Sequence, residues 1–300
     1  MPKVGRLLVV ALVLATAAVV QEGGVLEPTP AEAVHSGTNH LYMTFNMCGS
    51  ACNVGGDAVA DAVVSTILSR RPALVALQET CRTQAERIRD RLAASTFRMD
   101  MLYEPTLLAD TNGDNNKCRF NDYGIAVLSK GGRVGPEVVE LPNPNYDERF
   151  YEVRKLLCLR TALSPSVTVD ACSTHLVPRN TPDNTEWNLR QYTAVADWVN
   201  PKARAGIAVV PSGDLNRLPD TTGKMWHGTY GGTGEYCEVD YPQNESTSAG
   251  GKVDYVFVNR QRFHDINSGD ATYSDYSDHD PLYGRGYVGT GIRSGACDYL

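Results

Sequence analysis

Polar and ionisable side chains follow nearly every segment that the sequence predicts to be a buried strand. In chain order these are Asn46, Glu79, His175, Asp214 with Asn216, Asp254, and Asp278 with His279. Each residue alone has a structural explanation, because turns and strand edges favour such side chains. The complete set has no such structural explanation, because burying four carboxylates and two histidines together is costly unless a cation or a substrate phosphate balances their charge.

The reaction that this set could carry out is the hydrolysis of a phosphoester. Carboxylate and amide oxygens without thiolates suit Mg²⁺, Mn²⁺ or Ca²⁺, which polarise a phosphoryl oxygen. A histidine whose second ring nitrogen is held by a carboxylate is a positioned acid or base near neutral pH. Two such histidines could act on opposite sides of the phosphorus atom.

Hydrophobic periodicity predicts the elements that position these residues. Apolar runs predict strands at 41–45, 73–77, 125–129, 156–163, 167–173, 207–210 and 253–258, and a last short strand after Pro281. Helical spacing predicts one helix with Asp57 as its N-cap, a second over 85–92 and a third over 189–199. Strands alternate with helices before Tyr123 and with turns after it, which indicates an α/β fold with mixed sheets.

The ordered motifs resemble those of the deoxyribonuclease I-like endonuclease/exonuclease/phosphatase superfamily. They are Thr44-Phe45-Asn46, Gln78-Glu79, Thr174-His175, Gly213-Asp214-Leu215-Asn216, Val253-Asp254-Tyr255 and Ser277-Asp278-His279, and they span nearly the whole mature chain. The resemblance implies a four-layer α/β sandwich, in which two packed mixed β-sheets are flanked by helices. It also implies phosphodiester chemistry with Mg²⁺, or else Mn²⁺ or Ca²⁺, as the cofactor.

The same resemblance implies a role for each residue. Asn46 and Glu79 would bind the metal with Asp278 close to it, Asp214 and Asn216 would orient water and the phosphate, and His175 and His279 would act as acid and base. Asp254 would orient His279. Asp122 is a candidate carboxylate partner for His175, although an Asn-Asp turn before a strand explains it equally well.

Two details favour nucleic acid as the substrate. The stretch 213–220 resembles the extended motif of cytolethal distending toxin catalytic subunits, in which Arg and Pro follow the Asn. Arg154 and Arg160 flank a strand with the spacing seen in those toxins, so Arg154 is the candidate phosphate contact, whereas Arg160 is assigned to a solvated sheet face. The net charge of −7 argues against bulk attraction to nucleic acid, but a metal and a few arginines can manage phosphates locally. We therefore predict an endonuclease acting on DNA, or on RNA.

Other functions stay open beside this one. A secreted phospholipase C of the neutral sphingomyelinase type is the main alternative, because 273–281 also resembles that branch, and a phosphatase of the same superfamily is a further one. Such a phospholipase needs an exposed apolar hairpin, whereas the candidate loops 142–150 and 228–251 are polar and rich in glycine. An inactive binding module would lack a metal or histidine position, and the motifs lack none.

The N-terminus predicts export. Lys3 and Arg6 precede an apolar run over 7–20, and Ala31-Glu32-Ala33 has the form that signal peptidase accepts. The run is shorter than the roughly 20 residues that span a bilayer, and the long spacer after it leaves a lipid anchor as the alternative. We therefore expect a signal peptide at 1–33 and a single catalytic domain at 34–300, secreted as a monomer without stable membrane association.

The eight cysteines predict disulfides rather than a zinc site, because no paired Cys-x-x-Cys spacing occurs. Cys158 and Cys172 are symmetric about Pro165, so a hairpin there would place them opposite each other. Cys48 and Cys52 could close a small loop, and the sequence leaves open the partners of Cys81, Cys118, Cys237 and Cys297. The stretch 110–116 could offer oxygens to Ca²⁺, but its glycine is misplaced for an EF-hand, which favours a surface loop.

Overall fold

The computed structural model describes residues 37–300 apart from 110–117, 120, 145, 146, 148 and 150. Its strands are β1 Gly37–Asn46, β2 Leu74–Cys81, β3 Asp100–Leu107, β4 Tyr123–Ser129, β5 Gly132–Glu140, β6 Lys155–Ser164, β7 Val167–His175, β8 Ala208–Asp214, β9 Tyr236–Glu238, β10 Asp254–Asn259, β11 Phe263–Ala271 and β12 Leu282–Gly289. Its α-helices are α1 Asp57–Arg70, α2 Arg82–Ala93 and α3 Pro182–Arg204.

Two predictions concern segments that the structure does not describe. The predicted signal peptide at 1–33 and the predicted surface loop at 110–116 lie outside the described residues. Within the described residues, no helix combines the length and the apolar character that crossing a bilayer requires.

The strands form two six-stranded mixed sheets. The first sheet has the order β11-β12-β1-β2-β4-β3, and the second has the order β5-β6-β7-β8-β10-β9. β1 is parallel to β2 and β7 is parallel to β8, whereas the other neighbours are antiparallel. The predicted fold class, two packed mixed β-sheets flanked by helices, is confirmed.

Three apolar cores hold these layers together. α1 and α2 cover the outer face of the first sheet, where Ile67 packs into the same core as Leu77 of β2. The facing sides of the two sheets bury Val127 of β4 together with Val169 of β7. α3 covers the outer face of the second sheet and buries Val195 there. Each helix therefore hides one apolar face, and the removal of that surface from water stabilises the layer order.

The four described strands that the hydrophobic pattern does not predict are all sheet edges, namely β3, β5, β9 and β11. β5 is mostly exposed and contains glycine and proline, and β11 has two register shifts against β12. Edge strands lack the continuous buried face that produces a readable hydrophobic pattern. A smaller correction concerns α1, in which Gly56 is the N-cap and Asp57 is the first helical residue.

The eight cysteines form four disulfides. Cys158–Cys172 joins β6 and β7 at directly paired positions, as the hairpin prediction requires, and Cys48–Cys52 closes the predicted small loop. The two remaining bonds are Cys81–Cys118 and Cys237–Cys297. The second of these ties the C-terminal tail to β9.

Candidate active site

The topology brings the predicted site residues to one end of the two sheets. Asn46 ends β1, and Glu79 lies two residues before the end of the parallel strand β2. His175 and Asp214 end the parallel strands β7 and β8. β10 runs antiparallel to β8 and begins with Asp254 directly opposite Asp214. β12 likewise runs antiparallel to β1, so the 277–279 segment before it returns to the same end.

The Oδ2 atom of Asp214 is the centre of the cluster. It lies 3.1 Å from Asn46 Nδ2, 3.5 Å from His175 Nε2 and 3.8 Å from His279 Nε2. Asp214 itself is only 1% exposed. Both predicted acid–base histidines thus face the same buried carboxylate oxygen.

A close approach of β7 to β8 positions Asp214. Gly213 has a φ of 141°, and a Cβ atom there would lie 2.0 Å from the carbonyl oxygen of Thr174 on β7. Only glycine allows β7 and β8 to approach this closely at the site. Asn216, in the left-handed region with a φ of 50°, donates its backbone N–H to Asp214 Oδ1 over 2.8 Å and its amide Nδ2 to the carbonyl oxygen of Leu176 over 2.9 Å.

Burial changes the acidity of Asp214. Removal from water, and then the nearby Asp254 carboxylate, raise the pKa of Asp214 to about 7. The charge on His279 and the hydrogen bonds from Asn216 and Asn46 lower this pKa, but by less. Asp214 therefore exchanges its proton near neutral pH in the metal-free protein.

His279 is held by Asp254. Its Nδ1 atom lies 2.7 Å from Oδ2 of Asp254, a side chain that is fully buried. Burial alone would lower the pKa of His279, but the Asp254 carboxylate, with smaller effects of Asp214 and Asp278, raises that pKa to about 10. The imidazole is therefore a cation at neutral pH, with Nε2 directed toward Asp214.

Glu79 and Asn46 are joined by a hydrogen bond. Asn46 Nδ2 donates to Glu79 Oε1 over 3.1 Å as well as to Asp214, and Asn46 Oδ1 accepts from the backbone N–H of Cys48 over 3.1 Å. Glu79 has a φ of 54° at the register shift of β2 against β4, which turns its backbone out of the regular ladder. Its Oε1 atom lies 4.0 Å from His175 Nε2.

The donor set fits a hard divalent cation. Glu79 and Asp214 present carboxylate oxygens to one shared amide, and Oδ1 of Asp254 is buried without a hydrogen-bond partner among the described residues. Asp214, Asp254 and His279 also bring one ligand atom each to within 4.8 Å of one another. Buried carboxylate oxygens of this kind are ligands that Mg²⁺ and Mn²⁺ prefer.

Asp278 lies beside the first disulfide of the chain. Its Oδ1 atom is 3.7 Å from Cys52 Sγ, and the preceding Ser277 donates its hydroxyl to the carbonyl oxygen of Asn46 over 2.7 Å. Because both sulfurs of the Cys48–Cys52 pair are bonded to each other, they are not available as metal ligands. Asp278 is thus the member of this group that could contribute a ligand oxygen.

The predicted pairing of Asp122 with His175 is wrong. The Asp122 carboxylate accepts hydrogen bonds from Arg82 Nε over 2.8 Å and from the backbone N–H of Ala109 over 2.8 Å, so it anchors the start of α2 instead. The carboxylate on the Nδ1 side of His175 belongs to Glu152, at 3.9 Å. Glu152 lies in the loop before β6, where no motif or strand-end pattern distinguishes it in the sequence.

The arginines named in the sequence analysis have different surroundings. Arg154 reaches the site, where its Nη1 atom lies 2.9 Å from Glu152 Oε1 and 3.4 Å from the carbonyl oxygen of His175. Arg160 is half exposed and pairs with Asp170, in agreement with its assignment to a solvated sheet face. Arg217 is buried and donates to Thr221 and Asn188. The toxin-like stretch after Asn216 therefore has a structural explanation here, because Arg217 holds the turn after β8.

Comparison with known proteins gives one family. The sequence profile of the Endonuclease/Exonuclease/phosphatase family matches residues 43–279, a stretch that contains every motif from Asn46 to His279. No curated protein matches the chain in a sequence search.

Solved structures give the same fold. An endonuclease/exonuclease/phosphatase from Beutenbergia cavernae superposes with a TM-score of 0.67 at 22% identity, over 84% of this chain and 72% of that one. The human Nocturnin catalytic domain with a bound sulfate gives 0.62 at 14% identity, over 83% and 94% of the two chains. Truncated Caenorhabditis elegans TDP2 gives 0.58 at 16% identity, over 83% and 98%. At these identities the likeness concerns the fold.

Proposed function

The chain belongs to the endonuclease/exonuclease/phosphatase family, and on that premise we propose that it is a divalent-metal-dependent phosphodiesterase that cleaves nucleic acid, with DNA as the main substrate. One observation carries the proposal. Oδ2 of Asp214, a buried carboxylate oxygen, has Asn46 Nδ2 and both histidine Nε2 atoms at 3.1–3.8 Å. A phosphate that reaches this oxygen would meet two acid–base groups and the acidic metal-binding set at once.

Each residue of the site has a proposed role in phosphodiester hydrolysis. Glu79 and Asn46 would hold the cation, which when bound polarises a phosphoryl oxygen and offsets the charge that develops there. Asp214 would orient the attacking water, because its Oδ2 atom faces Nε2 of both histidines. Asp254 keeps Nε2 of His279 directed at the reacting group, where the imidazolium can donate a proton, and His175 would act from the other side.

Arg154 supports a phosphate-binding role for the rim of the site. Its positively charged guanidinium lies beside His175, and the nitrogen Nη1 forms an ion pair with Glu152. A guanidinium has five N–H donors, so a phosphate can share Arg154 with Glu152. Arg154 and Asn216 are accordingly the residues proposed to hold the scissile phosphate.

One observation favours a phospholipase C as the second candidate. Tyr273 is 78% exposed and Tyr276 is 43% exposed, directly before Asp278 and His279. Exposed tyrosines suit a membrane interface, because each has an apolar body and a polar tip. Against this, Tyr230 is the one large apolar side chain exposed in the fully described loop 228–251. Lipid substrates therefore belong in the test of the proposal.

The test offers the purified protein plasmid DNA, RNA and sphingomyelin vesicles with Mg²⁺, and with EDTA as the control. We expect nicked and linear plasmid only with the metal, and full recovery when Mg²⁺ is restored. Cleavage of sphingomyelin with intact nucleic acids would contradict the nuclease proposal and support the phospholipase. Removal of phosphate from a small monoester alone would point to a phosphatase.

Histidine variants connect this activity to the site. His175→Ala and His279→Ala should each lower the rate at least about a hundredfold, the usual contribution of a positioned acid or base. Arg160→Ala is the matched control, because Arg160 pairs with Asp170 on a sheet face, and its rate should stay within about twofold of wild type. A near-normal rate in either histidine variant would remove that residue from the mechanism.

We also propose that the chain is exported. Four disulfides suit an oxidising compartment, in which such bonds form and persist. The test is to recover the protein from the culture medium and to determine its first residue, which should lie close to Val34. Recovery of the uncut chain from the cytoplasm would contradict export.

A further inference from the structure

The loop between β1 and α1, residues 47–56, contacts three of the residues proposed to bind the metal or to lie beside it, namely Asn46, Glu79 and Asp278. The backbone N–H of Cys48 donates to Asn46 Oδ1 over 3.1 Å, and the backbone N–H of Gly49 donates to the carbonyl oxygen of Glu79 over 2.9 Å. Cys52 Sγ lies 3.7 Å from Oδ1 of Asp278. These three residues come from three separate segments of the chain, and this one loop connects them.

The disulfide Cys48–Cys52 gives the loop a fixed shape. It joins residues only four positions apart, and the backbone N–H of Cys52 donates back to the carbonyl oxygen of Cys48 over 3.3 Å. Cys48 has a φ of 44°, a conformation that an unconstrained non-glycine residue seldom adopts. Reduction would let this residue relax toward the common regions of backbone space and carry its N–H away from Asn46.

Packing around the loop transmits such a change to the site. A Cβ atom at Gly49 would lie 2.5 Å from the carbonyl oxygen of Glu79, so the loop backbone lies directly against that residue. Asn53 Nδ2 donates to the carbonyl oxygens of Cys48, over 3.0 Å, and of Tyr276, over 2.7 Å. The loop therefore holds the end of β2 on one side and the segment that carries Asp278 on the other.

We propose that the Cys48–Cys52 disulfide loop is a positioning element of the metal site, and that its reduction weakens divalent-cation binding without unfolding the chain. This inference rests on the proposed function, in which Asn46, Glu79 and Asp278 serve the cation. Residues that orient metal ligands typically change metal affinity by 10–100-fold when they are altered. A reducing compartment would then keep the site in a weak-binding form.

The two cysteines differ in exposure, and this difference determines which sulfur a reductant attacks. Cys52 is exposed whereas Cys48 is 2% exposed, so an external dithiol attacks the sulfur of Cys52 and Cys48 leaves as the thiolate. The second thiol of the reagent then displaces Cys52. The net reaction converts one protein disulfide and one dithiol into two protein thiols and one cyclic disulfide, with two electrons passing to the protein.

The fold should tolerate this loss. In the chain-entropy account, a disulfide stabilises the folded state more when it closes a longer loop. Cys48–Cys52 spans 4 positions, whereas the other three bonds span 14, 37 and 60. Its removal should therefore cost less stability than removal of Cys158–Cys172, which makes the latter a demanding control.

The experiment compares Mn²⁺ affinity, measured from the electron paramagnetic resonance signal of free Mn²⁺, in the oxidised wild type, Cys48→Ala/Cys52→Ala and Cys158→Ala/Cys172→Ala. We expect an affinity at least about tenfold weaker in the first variant and wild-type affinity in the second, although the second should melt at a lower temperature. An affinity within about twofold of wild type in Cys48→Ala/Cys52→Ala, or weakening only in the control, overturns the inference.

A substitute for the loop variant and a parallel DNA-cleavage assay allow every outcome to be interpreted. If Cys48→Ala/Cys52→Ala does not fold, brief dithiothreitol treatment of wild type and alkylation of Cys52, checked by peptide mapping and circular dichroism, produces the same comparison. If wild type binds Mn²⁺ but cleaves no phosphodiester, the proposed function fails while the affinity comparison still decides the inference. If wild type cleaves DNA and the loop variant binds Mn²⁺ normally, the inference alone fails.

Discussion

Replacing Asp254 by asparagine is the most informative single change at this site. The substitution keeps the size of the side chain and removes the carboxylate that lies 2.7 Å from Nδ1 of His279. Burial of His279, which lowers its pKa, stays in place, whereas the largest opposing effect disappears. The pKa of His279 should therefore fall from about 10 to near or below its ordinary value of 6.5.

The size of the effect follows from that change. A fall from about 10 to about 6.5 corresponds to about 5 kcal/mol of imidazolium stabilisation, as an upper limit because Asp214 still attracts the charge. In wild type, the folded pKa lies above the unfolded value, so this stabilisation is complete below about pH 6.5 and disappears as the pH rises through about 10. In Asp254→Asn, His279 should be largely neutral at pH 8.

The assay is a titration of the histidine ring protons by NMR in EDTA, with His279→Gln to identify the resonance. Urea denaturation at pH 8 should show Asp254→Asn to be less stable, and the DNA cleavage rate should fall at least about a hundredfold. A His279 resonance that still titrates above pH 9 in Asp254→Asn would refute this account of the pair. So would a full cleavage rate in that variant.

Three further changes test other parts of the structure. Asp122→Asn removes the partner of Arg82 and should cost about 1 kcal/mol of stability in urea denaturation while DNA cleavage stays within about twofold of wild type; a hundredfold loss of rate would restore Asp122 as a partner of His175. Gly213→Ala introduces a Cβ atom 2.0 Å from the Thr174 carbonyl oxygen at a φ of 141°, and it should cost about 3 kcal/mol or more; an unchanged urea midpoint would show that β7 and β8 can separate freely. Glu238 is buried, and burial followed by Asp240 raises its pKa to about 7 against the pull of Lys252. Because the folded state then holds this proton more tightly than the unfolded state, stability should fall by up to about 3 kcal/mol between pH 4.5 and pH 7; equal pH dependence in wild type and Glu238→Gln, from urea denaturation across that range, would contradict this.

The position of the site could be predicted because it follows from strand geometry. The hydrophobic pattern of the sequence predicts the strand interiors. Because β1/β2 and β7/β8 are parallel pairs, the last residues of each pair lie at the same end of their sheet. Asn46, Glu79, His175 and Asp214 therefore appear as strand-end residues before any contact is known. The disulfide Cys158–Cys172 could also be predicted, because a hairpin fixes the register of its two strands.

The partners within the site could not be predicted in this way. Whether His175 faces Glu152 or Asp122 depends on how two loops fold back over the sheet, and neither loop has a periodic pattern. The contact between Ser277 and Asn46 joins residues 231 positions apart, and nothing local to either residue encodes it. The same holds for the disulfides Cys81–Cys118 and Cys237–Cys297, whose geometry is set by tertiary packing.

Oδ2 of Asp214, which lies between two histidines and the acidic residues proposed to bind the metal, is the proposed place of phosphodiester hydrolysis. The most direct measurement is the rate of plasmid cleavage at saturating Mg²⁺ by wild type and by Asp214→Asn, with circular dichroism to show that both are folded. We predict metal-dependent cleavage by wild type and a loss of roughly a thousandfold in Asp214→Asn. Equal rates in the two folded proteins, or cleavage that continues in EDTA, would contradict the account.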